Sequence, residues 1–94
     1  MLYAIVDIET TGGYAAANGI TEIAVLVTDG SQVLHQLHTL LNPHYTIPRF
    51  IETMTGITNE MVEYERDFKS IADELYELLH DKVFVAHNVN FDYS

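Results

Sequence analysis

The stretch Leu2-Tyr3-Ala4-Ile5-Val6-Asp7-Ile8-Glu9-Thr10-Thr11-Gly12 decides how the rest of the chain is read. Residues 2–8 form a nearly continuous apolar run rich in Ile and Val, the pattern of a strand buried on both faces and therefore central in a sheet. Two acids interrupt it at its end. Asp7 and Glu9 are two residues apart, so on a strand their side chains leave the same face. At roughly 6–7 Å and an effective dielectric near 20, two such carboxylates repel by about 2–3 kcal/mol, and a divalent cation between them would turn that cost into attraction. Oxygen ligands in a chain without cysteine suit magnesium or manganese better than zinc. An isolated D-x-E fits equally well as two solvated carboxylates marking a strand end, and the spacing alone leaves both readings open.

Outward from this stretch, Thr11-Gly12-Gly13 and Asn18-Gly19 bracket a small-residue loop that contains Ala15-Ala16-Ala17. Residues 20–28 resume a strand pattern, Asp29-Gly30 signals a hairpin turn and residues 32–41 return, so the first half is an antiparallel meander. Beyond Pro43 and Pro48, Phe50, Ile51 and Met54 fall at near-helical spacing and stop at Gly56, a residue suited to a helix C-cap; a second short helical turn begins at Thr58. From Asp67 onward, Phe68, Ile71, Ala72, Leu75, Leu78 and Leu79 recur at intervals of three and four, the stripe of an amphipathic helix laid on a sheet. Asp81-Lys82 ends it, and Val83-Phe84-Val85-Ala86 reads as a compact buried strand. Strand, crossover helix and strand in succession place the last strand parallel to an earlier one. A further helix starting near Val89 is left only a turn or two, too short to stand alone, so the chain reads as part of a domain.

Composition narrows the function classes. Ninety-four residues, 48% hydrophobic and 11% aromatic, suffice for one small domain and not two. A net charge of −10 with no basic stretch excludes simple coating of nucleic acid by Lys and Arg, so a phosphate-bearing substrate would need bound cations. Zero cysteine excludes a disulfide framework, a thiolate metal site and a Cys nucleophile. The N-terminus has no basic n-region or cleavage site, and no apolar run approaches the roughly 18 residues of a membrane span. The expectation is a soluble, cytoplasmic protein with no membrane partner.

Asp92 follows the apolar strand 83–86 after His87-Asn88, just past a carboxyl end as Asp7 is. If the two strands are parallel neighbours, these acids share the edge where open α/β sheets bind ligands, and a three-carboxylate metal site becomes geometrically accessible. Taken by itself, Asp92 also suits a helix N-terminus. The segments Asp7-Ile8-Glu9-Thr10-Thr11-Gly12 and Ala86-His87-Asn88-Val89-Asn90-Phe91-Asp92 resemble the first and second motifs of the DEDD 3′–5′ exonucleases, in the branch similar to the DNA polymerase III epsilon subunit. Between them, Met54-Thr55-Gly56-Ile57-Thr58 resembles that branch's substrate-contacting segment. Three motifs in order across essentially the whole chain are specific where a lone D-x-E is not. The resemblance implies an α/β, ribonuclease H-like mixed sheet: an antiparallel meander of three strands plus a parallel fourth, with flanking helices. Residues 1–94 would be the N-terminal portion of a single exonuclease domain, truncated before its fifth strand.

The resemblance further implies two-metal phosphodiester hydrolysis at single-stranded or frayed DNA 3′ ends with Mg2+ or Mn2+. Asp7 would bridge both cations, Glu9 would ligate the one that activates water, and Asp92 would hold the second, partly through water. Thr10 and Thr11 with the backbone near Gly12, Thr55 and Ile57 of the middle segment, and His87 and Asn88 would contact the terminal nucleotide or line its cleft. The Thr11 hydroxyl suits a turn equally well. RNA 3′ ends are the near alternative. A non-catalytic metal- or nucleic-acid-binding or assembly fragment is another, because the family's third motif, a general-base His five residues before a final Asp on a late helix, has no counterpart in the chain. His87 and Asp92 share that spacing but follow a strand and match the second motif through Asn88 and Phe91, so they are not assigned to the third. The isolated chain is expected to be inactive or weakly active. His35 and His38, three apart on a strand, face opposite ways, and with His44 and His80 they read as surface histidines. A polymerase or fused nuclease partner, a role in proofreading or repair, and self-association through the hydrophobic edge of strand 83–86 complete the expectations.

Overall fold

The computed structural model describes residues 1–11 and 19–86. Its elements run β1 (Tyr3–Thr10), β2 (Ile20–Thr28), β3 (Val33–Leu40), α1 (Arg49–Thr55), α2 (Asn59–Val62), α3 (Phe68–Leu79) and β4 (Val83–Ala86). The sheet order is β3-β2-β1-β4. β2 pairs antiparallel with both β1 and β3, while β4 lies parallel to β1, which gives the expected mixed sheet. The loop around Ala15–Ala17 and the helix expected near Val89 lie outside the described residues.

Register sorts the strand residues onto two faces. Ala4, Val6 and Ile8 of β1 pair with Val27, Val25 and Ile23 of β2, and on this face α3 lays Ile71 and Leu75 into the main core. Burial of each such side chain contributes on the order of 1.5–3 kcal/mol. α3 begins where it does because the Asp67 carboxylate accepts from the Ser70 N–H at 3.0 Å, an N-cap, and it ends before Asp81, which turns to φ 60°. The second face carries Tyr3, Ile5, Asp7 and Glu9 of β1, Leu26, Ala24 and Glu22 of β2, and Gln36 and His38 of β3. None of these joins the core built around α3.

Two expectations about burial are corrected by this arrangement. β1 is central, as its apolar run indicates, yet within it only Ala4 and Thr10 are fully buried, because α3 covers one face alone. Val83–Ala86 forms the expected parallel strand but is exposed along its length, with Val83 at 40%, Phe84 at 59% and Val85 at 39%. It is an edge strand whose one partner among the described residues is β1, and α3 packs over β2 instead.

A satellite core sits beside the sheet. Ile47, Ile51, Ile57 and Val62 are buried together, with Leu40 from the end of β3 packed against them. Of the apolar residues that mark α1 in the sequence, only Ile51 points inward; Phe50 and Met54 are exposed. Gly56 stops α1 in the left-handed region at φ 78°, its N–H bonded to the Glu52 carbonyl at 2.8 Å, and Thr58 caps α2 by accepting from the Met61 N–H at 3.2 Å. Asn59 clamps the unit: its side chain accepts from the Ile47 N–H at 2.7 Å and donates to the Ile47 carbonyl at 3.1 Å, while the Glu52 carboxylate accepts from the Asn59 backbone and side-chain N–H groups at 2.8 and 3.0 Å.

Candidate active site

β1 delivers Asp7 and Glu9 to the second face near its carboxyl end, as the two-residue spacing requires. Asp7 lies opposite Ala24, and Glu9 lies opposite Glu22. One residue further the register shifts: Thr10 pairs with Ile20, which leaves Thr21 as an extra residue in β2. Such a bulge bends the strand and increases its local twist. Thr21 is only 1% exposed and its hydroxyl has no hydrogen-bond partner among the described residues, while its carbonyl accepts from the Leu41 N–H at 2.7 Å. Thr11 donates its N–H to the Gly19 carbonyl at 2.9 Å, and a Cβ on Gly19 would come within 3.3 Å of the Thr11 hydroxyl, so this exit from β1 is closely packed. Thr10 is buried and Thr11 half-buried.

Three segments meet at one end of the sheet. β4 stops at Ala86, paired with Val6, one residue before Asp7, so the chain leaves the parallel strand beside the carboxylates. Leu40, at the matching end of β3, faces Glu22 and packs against the satellite core, to which Ile57 belongs. Within the segment 55–57 the Thr55 hydroxyl donates to the Ile51 carbonyl at 2.8 Å and accepts from the Ile57 N–H at 3.1 Å, and the Ile57 side chain is buried. Both residues hold the segment's shape. Gly12, His87, Asn88 and Asp92 lie outside the described residues.

Asp7 borders a groove of about 290 Å³ whose floor is Ile5, Ala24 and Leu26 and whose far wall is Gln36 and His38. His38 and His35 do face opposite ways, being paired with Ala24 and Val27. His38 lies at the surface, as its sequence context indicates, and there it has a partner, with Nε2 2.6 Å from Glu22 Oε2. One local signal points to Glu22, the single charged residue of β2. His44 contacts Asp67 at 3.0 Å, and that hydrogen bond, together with the Ser70 N–H, holds the Asp67 carboxyl below its usual range.

Among the described residues, no three His, Asp or Glu side chains gather into a metal site. The pair on β1 nevertheless has the right chemistry for a hard cation. Two carboxylates leave one face of one strand, close enough to repel, with oxygen as the donor atom throughout.

A family model described as Exonuclease, of RNase T type, matches residues 4–94. The chain is 41% identical over 91 residues to the 3′-5′ exonuclease DinG of Bacillus subtilis (strain 168). It is 38% identical over 90 residues to the 3′-5′ exonuclease DinG of Staphylococcus epidermidis. Each match covers 96% of this chain and 10% of the relative, so the chain spans a tenth of the length of these curated relatives. Among solved structures it is similar to Exonuclease X in complex with 5′ overhanging duplex DNA, with a TM-score of 0.75 and 27% identity, over 96% of this chain and 51% of that one.

Proposed function

The chain belongs to the exonuclease family of RNase T type, and we propose that it forms the carboxylate-bearing half of a 3′–5′ exonuclease acting on DNA ends. The observation that carries this reading is the placement of Asp7 and Glu9 on the uncovered face of the central strand, at the end where parallel β4 also stops. Asp7, Glu9 and Asp92 would hold divalent cations, Mg2+ or Mn2+. When bound, these cations supply a lowered pKa for water and positive charge opposite the phosphoryl oxygens.

The rest is the work of this chain's own residues. The exit from β1 at Thr10 and Thr11, packed against Gly19, and the segment around Thr55–Ile57, tied to the end of β3 through Leu40, would border the terminal nucleotide. An acidic protein needs cations to accept a phosphodiester, and Asp7 and Glu9, two of its 14 acids, would turn part of the negative charge into a means of holding them. DNA is favoured over RNA because Exonuclease X is bound to duplex DNA. The 94 residues by themselves would bind metal and turn over weakly.

Two measurements test this reading. Mn2+ should raise the apparent melting temperature of the 94-residue chain by preferential binding to the folded state, and Asp7→Asn should remove that rise. In the gene product that carries this chain, Asp7→Ala should abolish Mg2+-dependent release of mononucleotides from a 5′-labelled DNA strand, with an RNA strand assayed in parallel to set the preference. Undiminished activity of Asp7→Ala overturns the proposal.

A further inference from the structure

Glu22 is the third carboxylate at this end of the sheet, directly opposite Glu9 and on the same face. Directly opposed residues of an antiparallel pair have Cβ atoms about 4.5–5.5 Å apart, and like charges there are unfavourable. Glu22 does not join the β1 acids: no three-carboxylate group forms from Asp7, Glu9 and Glu22. Its carboxylate reaches instead to His38, with Oε2 2.6 Å from Nε2. His38 stands on β3, the strand on the far side of β2 from β1, two residue pairs along from Glu22's own partner Leu40 and so on the same face. An ionised carboxylate only accepts, so the ring nitrogen is the donor. His38 is two-thirds exposed, and an exposed pair of this kind adds little to stability. What distinguishes it is its place, across β2 from the β1 carboxylates and on the wall of the groove that Asp7 borders.

We propose that His38 is a positioning residue for the metal site: by donating to Glu22 it parks the carboxylate that faces Glu9 over β3, and so keeps it out of the ligand set formed on β1. The inference rests on the metal reading above. Without the restraint, Glu22 returns to the β1 side and adds a negative charge, and in effect a further oxygen ligand, beside Asp7 and Glu9. Cation binding then becomes tighter and the open coordination positions that a substrate would use are filled.

The sign of the effect separates this role from a structural one. Damage to the sheet can only weaken binding, whereas a released Glu22 strengthens it. The test is a Mn2+ titration of the 94-residue chain at fixed pH and salt, followed by the electron paramagnetic resonance signal of free Mn2+. His38→Ala should tighten Mn2+ binding about 3- to 10-fold, a size set by moving one charge several ångströms in a partly screened site. The double variant Glu22→Gln/His38→Ala should return to the wild-type affinity, and His38→Gln, which keeps a donor, should stay near it. Binding by His38→Ala that equals or falls below wild type overturns the proposal, as does tightening that persists without the Glu22 charge. A wild-type chain that binds no more Mn2+ than Asp7→Asn overturns the metal reading and this inference with it.

Discussion

The two faces of the sheet are built from the same strands and differ in almost everything else. Toward α3, β1 and β2 present Ala4, Val6 and Ile8 against Val27, Val25 and Ile23, and the helix seals them with Ile71 and Leu75. Toward the other side the alternate residues of those strands are Ile5, Asp7 and Glu9 against Leu26, Ala24 and Glu22. A period of two lets a single strand carry a core on one side and a cluster of charge on the other, with no residue serving both. Stability and chemistry are therefore separable by mutation in this protein, and the expected effects follow that division.

The largest effect belongs to the acidic face. Asp7→Asn should lower exonuclease activity of the gene product by at least about 100-fold, given that even outer-shell partners of metal ligands cost 10- to 100-fold. Its urea midpoint should stay unchanged or rise, since one of two neighbouring like charges is gone. Next comes the apolar face. Ile71→Ala empties a fully buried position and should cost about 2–4 kcal/mol in urea unfolding, with Mn2+ affinity of the folded chain unaffected. A smaller loss tests the satellite unit: Gly56→Ala places a Cβ at φ 78° and should cost about 1 kcal/mol, although nothing lies near enough to clash.

The smallest effect is that of pH on residues off both faces. The Asp67 carboxyl is held low chiefly by the His44 hydrogen bond, and that of Asp29 by the N–H groups of Ser31 and Gln32 in the β2–β3 turn. Both folded values lie below the ordinary 3.8, so their contribution is complete above that pH and is lost as pH falls through the lower folded values. Thermal melting should therefore decline below pH 3.8, and less steeply in Asp67→Asn.

Features decided locally were legible in the sequence. The meander, the Asp29-Gly30 turn, the stop at Gly56 and the start of α3 after Asp67 each depend on a few adjacent residues, and each is where those residues place it. Burial was less legible. An apolar run records what a strand tolerates, but whether a layer covers each side depends on elements far away in sequence, so β1 is half-covered and β4 exposed. Asp7 and Glu9 could be paired by spacing alone. Glu22 could not be set against Glu9 without the register, which the extra residue at Thr21 then ends. For the same reason, the spacing of His38 shows that it faces away from His35 but not that Glu22 is its partner.

The Asn59 clamp has a consequence for how the molecule opens. Because Asn59 fastens Ile47 and Glu52 to one another across α1 and α2, the unit is closed by its own hydrogen bonds and its own small core, with Leu40 as its apolar tie to the sheet. A unit closed in this way is expected to open as one cooperative element, at a free energy below that of the strands. In native-state hydrogen exchange, the amides of Ile47 and Asn59 would exchange together, at a free energy below that of the β1–β2 ladder. If the segment around Thr55–Ile57 contacts the terminal nucleotide as proposed, the whole unit would be recruited or released as a single hinged flap while the paired strands stay in place.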